Sequence, residues 1–217
     1  MKVTTLACIQ GSWIPEFPIE NVLDIGAGTG LLSLIVAQKY DCHIDAVEIE
    51  SGAFSQLRDN INESRWSQNI SCHHKDIINY SRYHQKRYDL IISNPPFFSG
   101  ELKSPDSKIN LARHDEGITI EAIIELSVKL LSETGKISIL LPPFETEALK
   151  KISAQFSLNI SDQLHIFDSE QKPEKATVSI LSKKRTNLRF TKLIIKNNES
   201  EYSEGFIALL KDYYLNL

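Results

Sequence analysis

Short apolar runs closed by turn-forming residues alternate along this chain with stretches in which apolar positions recur every three or four residues. Residues 22–25, 43–47, 70–74, 88–93 and 136–141 read as strands, and 88–93, short, β-branched and apolar, has the pattern of a buried one. Helical spacing fills the intervals 31–39, 51–64, 119–131 and 145–156; in the second of these Phe54, Leu57 and Ile61 mark a core face. Residues 2–13 predict a short leading helix, set off from the first strand by Pro15 and Pro18. Near the other end, 158–167 and 176–182 read as strands joined by the polar turn 168–175, an antiparallel pair added to a parallel sheet. A further strand at 190–195 and an amphipathic helix over 204–214 close the chain, with Phe206, Leu209, Leu210 and Tyr213 expected in its core face. The whole predicts one α/β domain over 1–217: a mostly parallel seven-stranded sheet with an antiparallel final strand, helices on both faces, and a small extension over 183–217.

Two stretches carry candidate chemistry. The strand at 88–93 ends in Asn94-Pro95-Pro96-Phe97-Phe98, where the prolines cannot join a sheet ladder and so stop it. In open α/β sheets ligands bind at the carboxyl ends of the strands. There Asn94 offers a side-chain carbonyl, the prolines fix a main-chain carbonyl beside it, and two aromatic rings follow, a combination suited to a planar group bearing an NH2. An Asx-Pro turn that merely caps a core strand is the alternative. The second stretch is Asp24-Ile25-Gly26-Ala27-Gly28-Thr29-Gly30, a strand running through alternating glycines into a helix, the form of a nucleotide-binding turn. About twenty residues on, the second strand ends in Glu48, where an acid accepts hydrogen bonds from ribose hydroxyls. Asp76 follows the third strand, as an acceptor for an adenine amino group or as a helix cap.

Composition narrows the setting. The chain has 217 residues, 24 basic against 28 acidic, for a net charge of −4, so any contact with a polyanion is local. The local excess is at Lys183, Lys184, Arg185, Arg189, Lys192 and Lys196, read as a phosphate-contact patch or a solvated face. Arg113 and His114 follow a loop-like stretch, 99–109, on the expected substrate side. Three cysteines without C-x-x-C spacing read as reduced thiols. No apolar run approaches the ~20 residues that span a bilayer, and no signal-peptide pattern opens the chain; a cytoplasmic protein is expected, with no membrane partner. His73 and His74 are adjacent strand residues on opposite faces and make poor co-ligands with His43, so no metal is expected.

Taken together, the glycine stretch, Glu48, Asp76 and Asn94-Pro95-Pro96-Phe97 resemble, in order and spacing, the class I S-adenosylmethionine-dependent methyltransferases that modify exocyclic amines. More narrowly, Met1-Lys2-Val3 with Gly11 and Trp13, Ala112-Arg113-His114, and the ending through Tyr213-Tyr214-Leu215 are similar to bacterial tRNA1(Val) adenine-N6-methyltransferases, which modify the adenine 3′ of the anticodon; Leu6 stands where that family usually has Asp. The resemblance implies a Rossmann-like class I methyltransferase fold, S-adenosyl-L-methionine as cofactor and tRNA as partner, with the protein a monomer or weak dimer. It implies that residues 1–20 cover the cofactor, with Lys2, Asp24, Gly26, Ala27, Gly28 and Gly30 around its amino-acid end. Glu48 and Ile49 would meet its ribose side, Asp76 and Ile77 its adenine, and Asn94 would border it. Asn94, Pro95, Pro96 and Phe97 would form the catalytic turn, and Phe97, Phe98, Arg113, His114, Lys184 and Arg185 would meet the RNA. Two other readings stay open: guanine-N2 methylation of ribosomal RNA, which uses the same turn, and a non-catalytic RNA- or cofactor-binding protein on the same fold.

Overall fold

The structure is a computed structural model and describes residues 4–96, 118–199 and 201–214. Lys2, Phe97, Phe98, Arg113 and His114 lie outside the described residues. The chain opens with helix α1 (Thr5–Ser12) and then alternates: β1 (Asn21–Ile25), α2 (Leu31–Lys39), β2 (His43–Glu48), α3 (Ser51–Glu63), β3 (Ile70–His74), α4 (Ile77–Tyr83) and β4 (Tyr88–Ser93). There follow α5 (Ile120–Leu130), β5 (Leu131–Leu141), α6 (Pro143–Gln155), β6 (Asn159–Phe167), β7 (Glu174–Ser182), β8 (Arg189–Ile194) and α7 (Glu204–Leu210).

The strands form one sheet in the order β3-β2-β1-β4-β5-β7-β6-β8. Strands β1 to β5 are parallel neighbours, β7 is antiparallel to both β5 and β6, and β8 runs parallel to β6. The α/β class, the parallel core and the antiparallel seventh strand are as the sequence predicts. The sheet has eight strands rather than seven, because β8 joins it in register from Asp162↔Arg189 to Phe167↔Ile194. Arg189 fixes that register, its guanidinium 2.6 Å from Asp162 Oδ1.

Alternation along the central strands fills both faces. Val22, Leu90 and Ile92 pack on the side of α2 and α3 with Val36, Leu57 and Ile61, whereas Leu23, Ile25 and Ile91 pack on the side of α4, α5 and α6 with Tyr80, Ile123 and Leu149. All of these are buried, and each such side chain contributes about 1.5–3 kcal/mol by leaving water. Phe54 is only partly buried and stacks on His74, centroids 4.7 Å apart. On the other side of the sheet Asp45 is the centre of a polar network, accepting from Tyr88 Oη at 3.0 Å and Lys86 Nζ at 2.9 Å and pairing with His73 Nε2 at 2.9 Å. His73 and His74 thus diverge to opposite faces, as strand geometry requires.

Candidate active site

The glycine turn begins where β1 ends. Gly26 N and Ala27 N donate to Val47 O at 2.9 and 3.1 Å, which bends the chain over the end of β2. Gly26 takes φ +71°, in the left-handed region, and a Cβ built on it would meet nothing within 4 Å. Its face therefore looks into open space, and a ligand can approach the backbone there. Gly30 (φ +87°) is different: it caps α2, and a Cβ would lie 2.7 Å from Leu57 Cδ1, so this glycine serves helix packing.

Two acids support the turn. Asp24 is fully buried; its Oδ2 accepts from Ser33 Oγ at 2.7 Å, and its Oδ1 has no partner among the described residues. Burial pushes its carboxyl up to about 7, opposed by the Ser33 hydrogen bonds and reinforced by the charge of Glu48. Glu48 is buried at the end of β2, Oε2 accepting from Gly28 N and Oε1 from Glu50 N, both at 2.7 Å. A carboxylate has about four acceptor positions, so hydroxyl donors can still be met. Ile49 beside it is 62% exposed, an unusual place for a large aliphatic side chain. Asp76 caps α4, its Oδ1 accepting from Ile78 N and Asn79 N at 2.8 and 3.1 Å, while Ile77 packs in the core with Tyr80.

The Asn94 turn comes out beside this cradle. In the β1–β4 ladder Ile25 is opposite Ser93, so the residues that follow, Gly26 and Asn94, leave adjacent strands at the same edge. Ser93 Oγ donates to Ile25 O at 3.0 Å and ties the two strand ends together. Asn94 is half-buried, Pro95 buried and Pro96 exposed. Gln10, reaching from α1 and fully buried, donates from Nε2 to Ser93 O at 3.0 Å and to Ser138 O at 3.3 Å, which ties the end of β4 to its neighbour β5. The structure thus brings Asp24, Gly26, Gly28, Glu48, Ile49, Asp76 and Asn94 to one edge. Lys184 and Arg185 are elsewhere: they follow Ser182, which pairs with Lys136 near the start of the β5 ladder, so they lie at the opposite, amino edge.

Comparison with known proteins places this arrangement. Residues 12–157 match the model of the methyltransferase small domain family. Over 99% of its length the chain is 36% identical to the tRNA1(Val) (adenine(37)-N6)-methyltransferase of Trichodesmium erythraeum, covering 91% of that protein. It is 33% identical to the protein of the same name from Parabacteroides distasonis, across the whole chain and 92% of the relative. The chain belongs to this methyltransferase family. Among solved structures, a predicted O-methyltransferase from Agrobacterium tumefaciens superposes with a TM-score of 0.74 at 15% identity, covering 95% of both chains. A Pyrococcus horikoshii protein described as a putative RNA methyltransferase gives 0.54 at 20% identity over 75% and 72% of the two chains. These two show the fold alone.

Membership in this methyltransferase family implies a cofactor of the S-adenosylmethionine type, and the cradle fits one. The orphaned Asp24 Oδ1 suits an ammonium group, the open face of Gly26 leaves room for an aminocarboxypropyl chain, and Glu48 and Ile49 present acceptor and apolar surface in sequence. Gln10, Ser33 and Ser93 are the functional neighbours that sequence reading did not find. Gln10 alone gave a local sign, a polar side chain inside the apolar run Ala7-Cys8-Ile9-Gln10. Among the described residues no group of three or more His, Cys, Asp or Glu is placed to hold a metal ion, and no helix is long and apolar enough to cross a membrane.

Proposed function

We propose that the chain transfers a methyl group from S-adenosyl-L-methionine to the exocyclic N6 of an adenine in tRNA, the adenine at position 37 of tRNA1(Val), in the cytoplasm. One observation carries the reading: the amide-bearing turn at Asn94 and the glycine turn at Gly26 leave paired positions of neighbouring strands at one edge. The names borne by full-length relatives support the acceptor.

When bound, the cofactor supplies an electrophilic methyl on a sulfonium. Asp24 binds its ammonium, Gly26 and Gly28 admit its chain, Glu48 binds its ribose, and Asp76, through the carboxylate oxygen not spent on the helix cap, holds its adenine amine. Helix α1 would lie toward it. An adenine amino nitrogen is a weak nucleophile because its lone pair is delocalised into the ring. The Asn94 side-chain oxygen and the Pro95 carbonyl accept its two hydrogens and draw the nitrogen toward tetrahedral geometry, which frees that pair. No dedicated base is required beforehand, since the methylated product loses its proton readily. The family resemblance assigns Phe97 the role of stacking on the extruded base, a contact that would be worth about 1–3 kcal/mol. Extrusion costs less from a loop than from a duplex, which suits an anticodon loop.

The test is to incubate the protein and labelled S-adenosylmethionine separately with unmodified tRNA, ribosomal RNA and total protein, and to identify the product by mass spectrometry. N6-methyladenosine in tRNA is expected. N2-methylguanosine in ribosomal RNA, methylated protein, or no transfer at all would each replace this reading.

A further inference from the structure

Two hollows at the amino edge of the sheet share Glu133 and Lys183 and so make one trough, on the side away from Asn94. The larger, about 800 Å³, lies where β5, β6 and β8 begin and β7 ends, with Lys136, Lys184 and Arg189 on its walls. The smaller, about 470 Å³, continues past Lys183 to Arg87, just ahead of β4. Cations outnumber carboxylates along it, in a chain whose net charge is −4. Asp162 occupies Arg189, and Glu133 lies 3.4 Å from Lys183. Among the described residues no carboxylate is at salt-bridge distance from Lys136, Lys184 or Arg87. Lys136 is half-buried and lies over the Phe17 ring at 4.5 Å, a partly dehydrated ammonium that an anion would stabilise. Ser161, Thr134 and Asn187 line the larger hollow with neutral donors suited to phosphate oxygens.

We propose that this trough holds the phosphate backbone of the RNA substrate at a distance from the base being methylated. It rests on the RNA reading above and adds where the RNA runs. A strand rises about 3.3 Å per residue, so the part of β5 from Thr134 and Lys136, at the trough, to Leu141, at the other edge, spans roughly 20 Å. A helical nucleic-acid strand advances about 3.4 Å per phosphate, which puts the trough on the order of six nucleotides from the target base. Phosphates at that spacing from a base in the anticodon loop belong to the stem. A mononucleotide or an isolated loop cannot occupy both edges, whereas a stem-loop can. The trough therefore selects for length and charge and carries no base readout.

The experiment measures binding, not turnover. Anticodon stem-loop RNA and a loop-only oligonucleotide are titrated against the parent, against the paired change Lys183→Ala/Lys184→Ala, and against Arg87→Ala, over a range of salt concentrations. Unchanged melting temperatures confirm the fold of the variants. The paired change is expected to weaken stem-loop binding about tenfold and to reduce the slope of log affinity against log salt by about 2, and Arg87→Ala by about 1, with loop-oligonucleotide affinity altered less than twofold. Unchanged salt slopes overturn the proposal. So does an equal loss on the loop oligonucleotide, which would put these cations at the catalytic end. An acidic peptide that competes as well as RNA would assign the trough to a protein partner. Failure of the RNA reading itself would look different, because the parent would then show no salt-dependent affinity for either RNA.

Discussion

Asp24 shows how a residue can be visible in sequence while its surroundings are not. The motif Asp24-Ile25-Gly26 marks it as an acid beside a turn, but only the fold reveals that it is fully buried with Oδ1 unpartnered and its carboxyl pushed up to about 7. The consequence for stability has a definite sign. An unfolded aspartate titrates near 3.9, so between roughly pH 4 and 7 the folded chain holds a proton that the unfolded chain releases. Stability from this group is complete below that window and falls as pH rises through it. Asp24→Asn keeps the shape without the charge. Melting curves of the ligand-free protein should show the variant gaining on the parent from pH 5 to pH 8, by up to a few kcal/mol, while it loses affinity for the cofactor's ammonium. Parallel profiles for the two proteins would mean that Asp24 is solvated after all. Gly26 and Gly30 were legible because their positive φ favours glycine, and the turn at Asn94 because the prolines after it stop the strand. Gln10 and Ser93 were not, because their contact joins positions 83 residues apart.

At the scale of elements, the strands of the parallel core were legible where burial on both faces leaves an unbroken apolar run. Strand β5 was legible only from 136 onward. It begins at Leu131, opposite Tyr88, and the next residues, half-buried Ser132 and exposed Glu133 and Thr134, are polar, with no alternation to betray them. β8 was readable as a strand but not as a member of the sheet: its outer face is solvent, Phe190 is 66% exposed, and Arg189 and Lys192 guard it as charged residues guard many sheet edges. The leading helix packs against α2, and how closely it does so depends on one residue. A Cβ on Gly11 would come within 2.7 Å of Ile35 Cγ2, so α1 can cross α2 only with a glycine there. Gly11→Val should therefore push α1 outward and cost about 1–3 kcal/mol by overpacking. Because Gln10 is the adjacent residue, its bonds to Ser93 and Ser138 should loosen as well. Hydrogen exchange at the end of β4 should speed up in this variant, and exchange rates there equal to the parent's would show that α1 plays no part in holding the Asn94 turn.

Across the whole molecule, the two edges of one sheet differ: the carboxyl edge gathers the glycine turn, Glu48 and Asn94, and the amino edge gathers the cationic trough. The proposed mechanism makes a second division within the carboxyl edge, between residues that would hold the methyl donor and the residue that would prepare the acceptor, and thermal stability can separate them. A ligand that binds only the folded chain stabilises it by about 2.7 kcal/mol at a hundred times its dissociation constant. For a chain of this length each kcal/mol moves the midpoint by roughly 2–4 °C, so saturating S-adenosylmethionine should raise the parent's melting temperature by about 5–10 °C. Glu48→Ala removes the buried carboxylate that supports Gly28 N and would meet the ribose, so most of that rise should vanish. Asn94→Ala leaves the donor cradle in place and should keep most of the rise, while single-turnover methyl transfer falls by roughly 10²–10³, as when one preorganised acceptor or donor is lost from an active site. A thermal shift lost in both variants would merge the two roles and make Asn94 chiefly a cofactor ligand. A turnover rate within a few-fold of the parent in Asn94→Ala would remove it from the chemistry, leaving the glycine turn without its facing partner.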